Sequence, residues 1–335
     1  MSNSAPLRQS VLNIIQSGFP LESHPYDVLA DQLGVRTGDV KAAVKTLRSE
    51  GTIRRIGASF ASAKMGFASI LCALAVEGDE REVDRIASLV SAHGEITHNY
   101  LRNDRYNLWF TAIARDRNAL DEVISDIIAE TGCNDSLALP AITIYKIRVD
   151  FSGSAGRRDD RANATGKPFD ASSPFDVALV RWGQGDATGD EPFADAARAV
   201  AAELDDPTVS EMHILARLRS WKASGVLRRF GSMVQHRNIG FLFNGMCVLD
   251  VPPDRIDELG YALAELPFVS HCYARPRSDR WPYNLYAMAH AKTQEELDGH
   301  IEAVRNLTGL TPKVLVSTKE YKKASPVYFP AGAVQ

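Results

Sequence analysis

Apolar positions in the first fifty residues recur at helical spacing. Leu7 to Ser17 reads as an apolar helix and Pro25 to Leu33 as a second, where proline suits a first helical turn. Gly34 ends the second, and Thr37 is placed to cap a third that runs to about Glu50, with Val40, Ala43, Val44 and Leu47 along one face. Gly51 stops it, and Thr52 to Phe60 reads as a short β-hairpin or wing, which completes a winged helix-turn-helix pattern. Strand and helix signals then alternate. Ser69 to Glu77 is a strand, Glu80 to His93 an amphipathic helix, and Glu95 to Arg102 and Leu108 to Arg115 are two strands. Asn118 to Thr131 is a helix with Leu120, Val123, Ile127 and Ile128 on its apolar face, and Leu137 to Val149 is a last strand. The order βαββαβ predicts a ferredoxin-like domain, so the fold class is α+β.

The plan then recurs. Arg54-Arg55-Ile56-Gly57 matches Arg228-Arg229-Phe230-Gly231, and Gly66-Phe67 matches Gly240-Phe241, both at an offset of 174 residues. Phe243 to Val251, Arg255 to Glu265, Val269 to Arg275, Asn284 to His290, Gln294 to Leu307 and Lys313 to Glu320 repeat the six sheet-domain elements. The second helix-turn-helix is less regular: Glu191 to Ala202 and Ser210 to Lys222 are helical, but Glu203 to Pro207 lengthens the turn between them. Ser152 to Pro174, rich in small and charged residues, reads as a flexible linker. The expected domains are therefore residues 1–60 and 61–151, a linker at 152–174, a degenerate winged helix at 175–235, and a second ferredoxin-like domain at 236–330. This is an internal duplication rather than a short-period solenoid.

Composition narrows the function classes. The 335 residues exceed one ordinary core, and a net charge of −4 gives no strong nonspecific attraction to nucleic acid or an anionic membrane. No apolar run approaches the roughly 18 residues needed to span a bilayer. Met1 to Arg8 lacks the pattern of a secretory leader, so the cytoplasm is expected. Cys72, Cys133, Cys247 and Cys272 form no C-x-x-C, and Cys72 and Cys247 in apolar runs read as buried thiols. On the third helix Lys41, Lys45 and Arg48 face outward, but Asp39 and Glu50 offset them. A solvated helix face accounts for these charges, and specific DNA binding is not expected.

The candidate chemistry is a duplicated strand. His98-Asn99-Tyr100-Leu101-Arg102-Asn103 precedes Tyr106-Asn107-Leu108, and His271-Cys272-Tyr273-Ala274-Arg275-Pro276 precedes Trp281-Pro282-Tyr283-Asn284-Leu285. Alternation puts His98, Tyr100 and Arg102 on one face, and His271, Tyr273 and Arg275 on one face. Imidazole can ligate iron or deliver a proton, tyrosine can stack, and arginine can clamp a carboxylate. The pairs Arg54, Arg55 and Arg228, Arg229 either lie solvated on a wing or add further carboxylate forks.

On these motifs the whole chain, apart from the linker, resembles the siroheme decarboxylase family, which is built on the Lrp/AsnC regulator plan. The two halves resemble the family's two subunit types, fused. The resemblance implies loss of carbon dioxide from the C12 and C18 acetates of siroheme to give 12,18-didecarboxysiroheme, in heme d1 biosynthesis. It implies no cofactor beyond the iron of the substrate. The functional histidines would be His98 and His271, each a proton donor or an axial iron ligand. Tyr100, Arg102, Tyr273 and Arg275 are motif members for substrate binding, with Arg54, Arg55, Arg228 and Arg229 as further forks. The halves differ after the arginine, where Asn103 stands against Pro276 and no Trp-Pro precedes Tyr106. That asymmetry favours the second half for ligand contact. Two ferredoxin-like domains in one chain predict a monomer with internal pairing, or a homodimer. The alternatives are a ligand-responsive transcription regulator and a non-catalytic heme-binding protein.

Overall fold

The computed structural model describes residues 4–147, 166–234 and 243–330. In chain order these form α1 (Ala5–Ser17), α2 (Pro25–Leu33), α3 (Thr37–Ser49), β1 (Ile53–Phe60), β2 (Ala68–Leu74), α4 (Glu80–Ala92), β3 (Ile96–Arg102), β4 (Leu108–Ala114), α5 (Arg117–Thr131), β5 (Ser136–Pro140) and β6 (Thr143–Ile147). The second half follows with α6 (Pro174–Gln184), α7 (Pro192–Leu204), α8 (Glu211–Ser224), β7 (Leu227–Val234), β8 (Phe243–Leu249), α9 (Ile256–Glu265), β9 (Val269–Ala274), β10 (Leu285–Ala291), α10 (Gln294–Thr308) and β11 (Lys313–Lys323). They gather into two compact units. One holds α1–β1, α6–β7 and the segment from Tyr328; the other holds both ferredoxin-like domains. Among the described residues no helix is long and apolar enough to cross a membrane.

In the first unit the expected hairpin is absent. Each half supplies one strand, and β1 pairs antiparallel with β7 so that Gly57 lies opposite Gly231. Both glycines are required by close backbone approach. A Cβ on Gly57 would meet Gly185 O at 2.7 Å and Gly183 O at 2.8 Å, and one on Gly231 would collide with Ile15 O. Thr37 does not cap α3: Arg36 is the N-cap, and the Thr37 hydroxyl donates to Asp27 Oδ1 at 2.6 Å. Two of the three outward cations of α3 are also partnered from the other half. Lys41 pairs with Asp190 at 2.9 Å, and Arg48 pairs with Asp186 at 2.5 Å. The helix α6 lies in a stretch for which no element was predicted. It is capped by Ser173 and buries Val177, Ala178, Leu179 and Val180. Of the expected linker, residues 152–165 fall outside the described residues. From 166 on it is docked, with Phe169 5.9 Å from the Trp221 ring and stacked at 5.5 Å on Phe329. Lys167 N also donates to Ser220 Oγ at 2.8 Å and Arg217 Nη2 to Pro168 O at 3.0 Å, so ring contacts and hydrogen bonds anchor this polar segment together.

In the second unit nine strands run in the order β5-β2-β4-β3-β11-β8-β10-β9-β6. The last strand of each domain starts on its own sheet and ends on the other. β11 pairs first with β8 and then with β3, while β5 pairs with β2 and β6 with β9. The single strand expected from Leu137 onward breaks at Pro140, which lacks the N–H to continue a ladder. Only Ala141 and Ile142 separate β5 from β6, so the order closes into a ring. Three cores result. Two lie between a sheet and its own helices, around Phe110 and Ile86 in one half and Leu285 and Leu259 in the other. The third fills the ring and is shared, with Trp109, Leu139, Met246, Trp281, Tyr286 and Leu315 contributed by both halves.

Candidate active site

β3 and β9 carry the duplicated motif on the inner face of the ring. The intervening residues point the other way: Asn99 Nδ2 donates to Ala87 O on α4 at 3.0 Å, and Cys272 is buried in the core beneath α9. His98, Tyr100 and Arg102 therefore share the face of Trp109, which lies opposite Tyr100 across β4. His271, Tyr273 and Arg275 share the face of Tyr286, which lies opposite Tyr273 across β10. Each row is a continuous stack. Ring centroids are 6.2 Å apart for His98–Tyr100 and for His271–Tyr273, both stacked. The guanidinium lies 5.6 Å from the Tyr100 ring in one row and 4.8 Å from the Tyr273 ring in the other. β3 and β9 are four antiparallel steps apart in the ring, so they run in the same sense. The two arginine ends start at the shared core, and the two histidine ends lie toward the same rim.

The arginines are buried and half satisfied. Arg102 Nη1 donates to Leu315 O at 2.7 Å, and Arg275 Nη1 donates to Leu139 O at 2.5 Å. The Nε of each is buried without a hydrogen-bond partner. An unpaired buried donor costs about 1–3 kcal/mol, and the same atom carries that cost in both halves. Burial pulls the Arg102 guanidinium down to about 10, which leaves it cationic at neutral pH, and lowers Arg275 in the same direction.

The histidine ends differ. His98 Nδ1 lies 3.0 Å from the Thr97 hydroxyl, which in turn lies 3.3 Å from Thr111 O. Burial, with Lys323 acting in the same direction, draws the His98 imidazole down to about 4, so it is neutral at pH 7. Burial and then Glu320 push the Tyr100 phenol up. In the other row His271 Nδ1 lies 2.8 Å from Ser270 Oγ, and that oxygen is 2.7 Å from His290 Nε2. Lys323 and Glu320 of β11 flank the first row where Ile147 and Ile144 of β6 flank the second. Thr97, Ser270, His290, Lys323 and Glu320 were not singled out from the sequence. Thr97 and Ser270 directly precede the two histidines, a hydroxyl residue in both copies, whereas His290, Lys323 and Glu320 are brought to the rows only by strand pairing.

The remaining motif residues act in the fold. Asn107 exchanges two hydrogen bonds with Val76, at 3.0 and 2.9 Å, and Asn284 does the same with Val251, at 2.8 and 2.9 Å. The Tyr-Asn-Leu repeat is thus a clip between neighbouring strands. The arginine pairs lie in the first unit, not among the histidine rows. Arg55 Nη1 donates to Gln184 O at 2.6 Å, and Arg229 Nη1 donates to Gln16 O, each at a helix C-terminus where a cation is favoured. Arg54 and Arg228 are exposed on the paired strands.

A ring of two ferredoxin-like sheets fused to winged helices defines a ligand-binding protein of AsnC-like type. The AsnC-like ligand binding domain family matches residues 64–146 and 238–322, and the siroheme decarboxylase NirDL-like HTH domain matches residues 8–54. The chain is 31% identical to the siroheme decarboxylase of Hydrogenobacter thermophilus over 95% of its own length and 94% of that protein. It is 33% identical to the siroheme decarboxylase NirDL subunit of Paracoccus pantotrophus over 95% of both. The crystal structure of the siroheme decarboxylase NirDL in complex with an iron-uroporphyrin III analogue superposes with a TM-score of 0.73 at 29% identity, covering 97% of this chain and 95% of that one. The chain belongs to the siroheme decarboxylase family, in its fused single-chain form.

Proposed function

We propose that this chain removes carbon dioxide from the C12 and C18 acetates of siroheme, giving 12,18-didecarboxysiroheme on the route to heme d1. The observation that carries the reading is the pair of His–Tyr–Arg stacks, each with a buried arginine Nε–H lacking a partner, on facing walls of one ring. A flat polycarboxylate with its own iron suits that arrangement. Arg102 and Arg275 offer charge-assisted donors to carboxylates, and the aromatic core offers a surface for the macrocycle. The neutral imidazole of His98 is the candidate axial ligand to the substrate iron. His271 is the candidate donor of the proton that replaces carbon dioxide. The iron arrives with the substrate, so the reading needs no resident cofactor. The ring closes within one chain, so it needs no second copy, and every step is compatible with the cytoplasm.

Among the described residues, the face of α3 argues against the regulator reading. Two of the α3 cations, Lys41 and Arg48, are paired with Asp190 and Asp186 of the other half, which neutralises part of the face a recognition helix would present. The test is anaerobic incubation of the purified chain with siroheme, followed by mass analysis. Loss of two carbon dioxide units is expected. Bound siroheme of unchanged mass overturns the enzymatic reading and leaves a tetrapyrrole carrier.

A further inference from the structure

The two rows differ at a place outside the repeated motif. In the first half the Thr97 hydroxyl has a backbone acceptor in Thr111 O, so His98 gives its Nδ1–H to that oxygen and keeps a lone pair on Nε2. In the second half the corresponding hydroxyl, Ser270 Oγ, likewise lies 3.4 Å from a backbone oxygen, Met288 O, but it also sits between two imidazoles, 2.8 Å from His271 Nδ1 and 2.7 Å from His290 Nε2. Ser270 is fully buried, and a register shift in the β9–β10 pairing lies beside it, between Met288 and Ala289. His290 lies on β10 two residues beyond Met288, on the inner face, and at the offset of the Tyr-Asn-Leu repeat its first-half counterpart is Ile113. The chain His271–Ser270–His290 therefore exists in one half only.

We propose that Ser270 and His290 relay a proton into His271, which makes the second row the proton-delivering side of the site and the first row the holding side. The inference rests on the decarboxylase reading above. As carbon dioxide leaves, the bond between the acetate methylene and its carboxylate breaks and the electron pair stays on the methylene carbon, spread into the macrocycle. A C–H bond forms with the Nε2 proton of His271. The Ser270 hydroxyl proton moves to Nδ1 of His271, and the Nε2 proton of protonated His290 moves to Ser270 Oγ. His290 is left neutral and His271 holds its proton on Nδ1; before the second acetate reacts, Nε2 of His271 takes a proton from solvent and the Nδ1 proton returns through Ser270 to Nε2 of His290. No electron acceptor or donor is involved. Several titratable or polar groups surround the relay: Tyr273 on β9, Lys146 on β6 with its ammonium on Leu266 O, Asn244 opposite on β8, Lys292 two residues further along the chain, and His300 and Glu296 on α10. Of the three relay members only His271 would touch the substrate, so His290 and Ser270 are positioning residues.

The experiment compares decarboxylation of siroheme by the full chain and by His290→Ala, His290→Gln, Ser270→Ala and Ser270→Thr variants, across pH. Wild-type turnover first shows that the reading of the enzyme stands; its absence would defeat that reading rather than the relay. His290→Ala is expected to lower kcat by about 10- to 100-fold with KM within about twofold, and to move the acidic group in the pH profile, as loss of one member of a proton chain does. His290→Gln retains a partner for Ser270 but passes no charge, so it is expected to be equally slow. Added imidazole is expected to restore part of the His290→Ala rate. Ser270→Thr is expected to keep most activity, Ser270→Ala to lose it, and the double variant to be no worse than either single one. Wild-type kcat and pH profile in His290→Gln, or Gln restoring what Ala lost, overturns the relay.

Discussion

The row on β3 and the row on β9 begin alike at the shared core and diverge toward the rim. At the core end each is an arginine stacked on a tyrosine and tied to a carbonyl of the crossing strand. At the rim end one histidine is neutral and flanked by Lys323 and Glu320, while the other joins a hydroxyl to a second imidazole between isoleucines. Duplication of a scaffold copies backbone requirements first. The Asn clips and the paired glycines of the wings must match, because each meets a backbone constraint. The surroundings of the histidines are set by neighbouring strands, so the two copies were free to take different tasks.

The largest expected effect separates the histidines. His271→Ala removes the proposed proton donor and is expected to slow carbon dioxide loss by about 10²- to 10⁴-fold, while siroheme still binds. His98→Ala is expected instead to change the visible spectrum of the bound tetrapyrrole and to weaken its binding. Single-turnover mass analysis and absorption titration on both variants measure this. Equal rates, or equal spectra, in the two variants would show that the rows do not divide the work.

The arginines come next. Arg102→Ala and Arg275→Ala each remove a charge-assisted donor to a carboxylate, worth about 1.5–3 kcal/mol of binding, so siroheme affinity is expected to fall by about 10- to 100-fold in either. Their stability costs should differ. The Arg275 guanidinium lies 4.8 Å from the Tyr273 ring and 5.5 Å from the Tyr286 ring, whereas Arg102 has one such contact, with Tyr100. Arg275→Ala is therefore expected to cost about 1 kcal/mol more than Arg102→Ala in denaturant unfolding. Identical stability losses would show that the second aromatic contact contributes nothing.

Much of this arrangement was legible in the residues. The alternation of apolar and polar positions predicts both ferredoxin-like domains, and a period of two puts His, Tyr and Arg on one face. What was not legible depended on partners distant in sequence. Thr52 to Phe60 has the composition of a wing, but nothing local says that β1 pairs with β7 rather than folding back. The arginine pairs looked like carboxylate forks because recurrence was the only signal. Their inner members meet helix C-termini that the sequence cannot bring near. His290 carries no such signal, because it occurs in one copy only and stands where the other half has Ile113. Helix α6 was hidden beside a polar, glycine-containing stretch that reads as linker.

A smaller effect concerns proton binding in the ligand-free chain. The folded-state affinity of His98 is drawn down from the ordinary value of 6.5 to about 4. The unfolded chain therefore binds the extra proton first as pH falls. The stability associated with a neutral His98 is complete above pH 6.5 and is lost as pH falls toward 4. The loss is of order 1–3 kcal/mol. His98→Asn is expected to flatten the stability profile across that window, measured as urea midpoints at a series of pH values. An unchanged slope would mean that other groups carry the acid sensitivity.

The smallest expected effect belongs to Lys323, the exposed cation at the end of β11 opposite His98. Burial is the main reason that His98 resists protonation, and Lys323 adds to it from a solvated position. Charges at such positions are screened by salt within a Debye length of about 8–10 Å. Lys323→Met is therefore expected to raise the His98 proton affinity slightly, and added salt is expected to shift the wild type the same way while leaving the variant still. The His98 ring resonances in an NMR titration report both. A large upward shift in Lys323→Met would mean that charge rather than burial keeps the first histidine neutral. The difference between the two rows would then rest on one surface lysine, not on the interior of the ring.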